Sequence, residues 1–134
     1  MFSTEVRLSA GVFKSVVAGM GMAILCLSAP AAQAQTFMTD DELLATIPGS
    51  SISSKTDEGV KWAQNYSKAN GKRKGAIKGV MSGDGFKSSW YVKGGQWCED
   101  WGSGHECWNV ERVDAKSLRM YRGNEPRPNL WKLK

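Results

Sequence analysis

The sequence predicts an all-β protein: an antiparallel up-and-down meander or small barrel of seven or eight short strands, with a short N-terminal helix and one disulfide. Three observations carry this. From Ile52 onward, short alternating apolar segments recur about every 8–12 residues, separated by turns rich in Gly, Asn and Asp. Cys98 and Cys107 flank a Gly102-Ser103 turn symmetrically, as the two sides of a stapled hairpin would. Thr39 and Glu42 form a capping box just ahead of Leu43-Leu44-Ala45.

The first segment reads as a leader rather than as part of the fold. Arg7 and Lys14 precede an apolar run from Val16 to Leu27, Pro30 breaks it, and Ala32-Gln33-Ala34 has the small-x-small pattern of a cleavage site. The expectation is a secretory signal peptide over residues 1–34, cut after Ala34. The run is shorter than the roughly 20 apolar residues that span a bilayer. Cys26 follows the bulky Leu25, which does not suit lipid attachment, so Cys26 leaves with the leader. The protein is then expected to be periplasmic or extracellular, with no transmembrane segment after cleavage.

What remains is one domain, residues 35–134, with 16 basic and 12 acidic side chains once Glu5, Arg7 and Lys14 are removed. That excess permits contact with anionic surfaces without requiring it. Two cysteines remain, an even number, and in an exported chain their default is a disulfide. A metal site is disfavoured, since the spacing is not of the Cys-x-x-Cys type and His105 is the sole histidine. No cofactor motif is present. All six tryptophans fall in this domain.

The elements follow in order. Acidic Asp40, Asp41 and Glu42 suit a helix N-terminus, and Pro48-Gly49 ends the helix. Its Leu43, Leu44 and Ile47 are placed to pack over one end of a sheet. Ile52 to Ser54 is a strand, followed by a turn at Thr56 to Gly59. Val60, Trp62, Gln64 and Tyr66 alternate with Lys61, Ala63, Asn65 and Ser67, a half-buried strand. Asn70-Gly71 turns the chain into a strand over 74–82, with Ile77 and Met81 on one face. Gly83-Asp84-Gly85 is the next turn, and Phe86, Ser88, Trp90 and Val92 then share a face. Gly94-Gly95 leads into the hairpin, which runs to Val113. Ser117 to Tyr121 is a further strand, and after a loop marked by Pro126 and Pro128 a last short strand carries Trp131 and Leu133. The expected core is Val60, Trp62, Ile77, Met81, Trp90, Val92, Val110, Leu118, Met120 and Trp131.

The hairpin is the most specific local signal. Counting outward from Gly102-Ser103 pairs Trp101 with Gly104, Asp100 with His105, Glu99 with Glu106, Cys98 with Cys107 and Trp97 with Trp108. If 101–104 is the hydrogen-bonded pair that closes the turn, Cys98–Cys107 is a non-hydrogen-bonded pair, the closer kind. Turn chemistry and cysteine spacing thus predict the same register. In it Trp97, Glu99, Trp101, Glu106 and Trp108 share one face. Facing inward, that face would bury two opposed carboxylates unless Trp97 and Trp108 sit deep and both Glu lie at an open rim. Facing outward, it is a binding surface for sugars, cations or a partner's basic group.

Two further clusters carry chemistry. Asp100 and His105 are cross-strand neighbours, and such a pair can orient a general base; no motif marks a nucleophile to go with it, and an ordinary surface ion pair needs no more than these two. Lys72-Arg73-Lys74 on a hairpin tip would contact a phosphate or polyanion, or simply stay solvated. Nucleic-acid binding is disfavoured, because no aromatic interleaves that basic run.

The segment Ser89-Trp90-Tyr91-Val92-Lys93-Gly94-Gly95-Gln96-Trp97-Cys98, with Cys107-Trp108-Asn109-Val110-Glu111-Arg112, resembles a group of small exported bacterial proteins known as a domain of unknown function. A Trp-x-x-x-Gly-x-x-x-Cys…Cys-Tyr/Trp pattern recurs there in a β-rich domain. Weaker likenesses are to lipocalin-like barrels, whose Gly-x-Trp has one residue fewer than Gly59 to Trp62 here, and to small periplasmic enzyme inhibitors. The expected function is non-enzymatic: an exported binding protein that meets a protein or a small polar ligand through Trp97, Glu99, Trp101, Glu106 and Trp108. Alternatives are an inhibitor of an envelope enzyme using the Trp101 to Gly104 loop, and a polyanion or membrane-surface binder using Lys72, Arg73 and Lys74.

Overall fold

A computed structural model describes residues 35–134; the expected leader, its cleavage site and Cys26 lie outside the described residues. The chain forms helix α1 (Asp40–Thr46) and strands β1 (Ser51–Lys55), β2 (Lys61–Tyr66), β3 (Lys74–Met81), β4 (Asp84–Lys93), β5 (Gln96–Asp100), β6 (His105–Asp114), β7 (Ser117–Arg122), β8 (Glu125–Pro126) and β9 (Trp131–Leu133). The sheet runs β6-β5-β4-β3-β2-β1-β9-β7, every neighbour antiparallel, and β6 pairs β7 to close it. The result is a closed barrel of eight strands, with β8 outside it on β7. The meander is simple up to β7; β9 then passes between β7 and β1 to complete the ring. No helix among the described residues is long and apolar enough to cross a membrane.

Tight turns make the meander. Trp101 N–H donates to Gly104 O at 3.0 Å, and Gly102 alone of the two central residues has positive φ (77°). That is the turn whose twist matches the flanking strands. The observed pairs are Trp97–Trp108, Cys98–Cys107, Glu99–Glu106 and Asp100–His105, as the spacing predicts. The cysteine Cα atoms stand 4.1 Å apart and the disulfide is formed. One turn differs from expectation. Ser82-Gly83, both at positive φ, makes the β3–β4 turn, so Asp84 and Gly85 belong to β4.

Helix α1 closes one end of the barrel. Thr39 caps it: Glu42 N–H donates to Thr39 Oγ1, and Thr39 N–H donates to Glu42 Oε2 at 2.7 Å. Leu43 and Ile47 are fully buried in the core with Ile52, Val92, Val110 and Leu118. Asp40 ties the helix down through Arg73 at 2.5 Å and Gly95 N–H at 2.6 Å. Above this plug the interior is aromatic. Trp90 stacks on Trp97 (4.9 Å), which meets Tyr66 edge-on (5.5 Å), and Tyr66 lies against Trp131 (6.2 Å).

Two core expectations fail. Val60 is 37% exposed and Met81 41%. Both have the right alternation, but β2 starts only at Lys61 and β3 ends at Met81, so they lie where the barrel opens to solvent. Trp62 is half-buried for the same reason.

Glycines on β3 let the cross-strand rings lie flat. A Cβ on Gly79 would stand 2.3 Å from the Phe86 ring and 2.9 Å from Ala63 O, and one on Gly75 would stand 2.6 Å from Trp90 Nε1. Gly79→Ala is therefore predicted to cost about 1–3 kcal/mol in urea unfolding, as overpacking does. Gly104→Ala, which meets nothing within 4 Å, is the control and should change stability by less than about 0.5 kcal/mol.

Candidate functional site

The end of the barrel opposite α1 is open. There the β1–β2, β3–β4 and β5–β6 turns and the β8–β9 loop surround a cavity of about 860 Å³. Its walls are Trp62, Phe86, Trp101, Trp108 and Trp131, with Gln64 and Glu99 also lining it. The volume falls in the range of about 300–1,000 Å³ typical of small-molecule sites. The rim is braced from the sequence-distant loop. Arg127 pairs with Asp57, Asn129 Nδ2 donates to Thr56 O at 3.0 Å, and Ser54 Oγ donates to Leu130 O at 2.8 Å.

Glu99 lies at the inner end of this cavity, only 1% exposed. Strand alternation on β5 points it inward between Trp97 and Trp101. Tyr66 Oη donates to its Oε1 at 3.0 Å, and Trp97 Nε1–H donates to the same oxygen at 3.2 Å. Among the described residues its Oε2 has no hydrogen-bond donor. Burial raises the carboxyl from the usual 4.5 to about 7; the Trp97 and Tyr66 bonds pull it down, and the Glu106 charge pushes it up. Tyr66 Oη also contacts Gln64 Oε1. One phenol proton cannot serve both oxygens. With Glu99 protonated, its own O–H donates to Tyr66 and Tyr66 donates to Gln64. Burial, and after it the Glu99 charge, raises the phenol well above its ordinary range.

The five hairpin residues thus face inward, and their depths differ. Trp108 and Trp101 are wall, Glu106 is exposed rim and leans toward Arg122 at 3.5 Å, and Glu99 is deep. The expectation of both carboxyls at the rim holds for Glu106 alone, and their opposition is relieved because only Glu106 reaches solvent. Trp97 does not reach the cavity; it is fully buried beneath Glu99 and holds its oxygen. Gln64, Tyr66, Arg127 and Asn129 are members that sequence reading did not single out. The inward alternation of Gln64 with Tyr66 was the available signal.

The other two clusters do not form the inner wall of the cavity. Asp100 and His105 pair at 3.7 Å as cross-strand neighbours, with Tyr91 Oη joining His105 Nδ1 at 2.9 Å, and His105 also borders the cavity at its edge. Both members of the pair are substantially exposed, so the contact is worth little. In the basic run, Lys72 and Lys74 are exposed, while the Arg73 guanidinium is committed to Asp40. No group of three or more His, Cys, Asp or Glu side chains among the described residues is arranged to hold a metal ion.

Comparison with protein-family models, curated proteins and solved structures finds no match.

Because the Glu99 carboxyl is raised, its folded form holds a proton that the unfolded chain releases between pH 4.5 and about 7. The corresponding stability is fully present below pH 4.5 and is lost as pH rises through about 7. Glu99→Gln cannot lose it. Between about pH 5 and pH 8, wild type is predicted to lose roughly 3 kcal/mol more than Glu99→Gln in urea unfolding. Parallel pH profiles for the two proteins would show that Glu99 is ionised throughout.

Proposed function

We propose that this chain is an exported, non-enzymatic binding protein that takes a small ligand in the open mouth of its barrel. The observation that supports this most directly is the 860 Å³ cavity with tryptophan walls and a buried carboxyl at its inner end. A barrel of eight strands encloses room for packed side chains or one small ligand. Here the half near α1 is packed, and the mouth is left unfilled. Aromatic walls supply apolar contact, and a few convergent polar groups set orientation. Trp62, Trp101, Trp108 and Trp131 would hold the ligand, Glu99 and Gln64 would read its polar end, and Glu106 would meet it at the rim. The leader sequence and the disulfide support export, since both suit an oxidising compartment.

The six indole N–H signals of an isotope-labelled sample test this, since each tryptophan reports separately. A screen of small cations, sugars and apolar fragments should yield saturable shifts of the Trp62, Trp101, Trp108 and Trp131 signals. Those of Trp90 and Trp97 should move less. A screen in which no compound moves the mouth signals would overturn the reading.

A further inference from the structure

We propose that the mouth selects a compact organic cation, an amine or quaternary ammonium group on a small polar body, seated between Glu99 and the indoles of Trp62, Trp108 and Trp131. The inference rests on the mouth being a ligand site and names the class of ligand. Three observations converge on it.

The first is the arrangement of the rings. Trp62 meets Trp131 at 5.2 Å and 83°, and Trp108 meets Trp131 at 5.7 Å and 63°. Rings so inclined to one another leave no parallel slot for a flat ligand, while a compact onium group can meet whatever indole surface borders the cavity. A flat aromatic ligand would favour parallel walls.

The second is charge. The chain carries a net charge of +5, yet the cavity lining holds four carboxyls, Asp57, Glu58, Glu99 and Glu106, against Lys55 and Arg127. Arg127 is spent on Asp57. Arg122 likewise leans on Glu106, which leaves Glu99 with no cationic partner among the described residues, so a ligand phosphate or carboxylate would meet it with no cation to receive it.

The third is Glu99 itself. Keeping a carboxyl almost wholly out of water is costly unless something compensates its charge. Tyr66 and Trp97 serve one oxygen, and the other has no donor among the described residues. A bound cation supplies what is missing. A neutral sugar would use the walls and leave the buried Glu99 charge uncompensated.

Binding then favours the ionised carboxyl, and the displaced proton leaves to solvent. The titratable and charged groups around Glu99 are Tyr66 on β2, Glu106 and His105 on β6, and Lys55, Asp57, Glu58 and Arg127 at the rim. A variant at Glu99 separates its contribution from theirs.

The test uses the purified, oxidised protein and tryptophan fluorescence. Choline is compared with 3,3-dimethylbutan-1-ol, which has the same shape without the charge. The expected result is saturable binding of choline at about pH 8, at least about tenfold tighter than the alcohol. Choline affinity should fall roughly tenfold per pH unit below the Glu99 midpoint. Glu99→Gln should lose the charge preference and flatten the pH profile while still binding the alcohol, which also reports that it is folded. If that variant does not fold, the wild-type ratio and pH profile decide alone. Equal affinity for choline and the alcohol would overturn the cation while leaving the mouth a ligand site. No binding of choline, benzyltrimethylammonium or hexylamine up to about 10 mM would also overturn it. If the alcohol and the indole screen were silent too, the reading of the mouth would fall with it.

Discussion

The register of the stapled hairpin is the constraint on which the rest depends. Side chains alternate across a strand, so a slip of one residue exchanges the two faces entirely. In the observed register Trp97, Glu99 and Trp108 point into the barrel and Cys98 and Cys107 point away from it. One residue out, the disulfide, Asp100 and His105 would be inside and the indoles outside. The Gly102-Ser103 turn and the disulfide both select the same pairing. A staple around so short a loop stabilises by about 2–3 kcal/mol. That is a large share of what a small domain has in total.

From that register the asymmetry of the barrel follows. At one end the strands' inward residues meet α1, and Leu43 and Ile47 complete a packed core. At the other, the inward positions are large rings that lean on one another across the opening rather than filling it: Trp62 on Trp131, Trp131 on Trp108, Phe86 on Trp101. Glu99 sits at the boundary between the two halves. Tyr66 and Trp97 reach it from the packed side, and the cavity meets it from the open side. Burial there raises its carboxyl to about 7, so on the proposed reading a bound cation would favour its ionised form and release a proton.

Local rules made much of this legible. The Thr39–Glu42 capping box, the helix stop at Pro48-Gly49, the hairpin pairs and the inward face of β4 are each set by neighbours within a few residues. Depth along the barrel axis was not legible. Alternation says which face Glu99 shares with Trp97, but not that Glu99 lies low and Glu106 high. Val60 and Met81 show the same limit from the other side, since both have core parity and both fall where strands end. The Gln64–Tyr66–Glu99 cluster joins β2 and β5, which are not neighbours in the sheet, so no pairing pattern announces it. The short strand at Trp131 and Leu133 was legible, but its place between β7 and β1 was not, because both of its partners are distant in sequence or separated from it by a loop.

The measurement that tests this account most directly is a carbon-13 titration of the Glu99 side-chain carboxyl in the oxidised, ligand-free protein. A buried Glu99 at the inner end of the cavity should titrate with a midpoint of about 7. A midpoint at the ordinary glutamate value of 4.5 would mean that water reaches the carboxyl freely, and the account of the mouth built on its burial would be wrong.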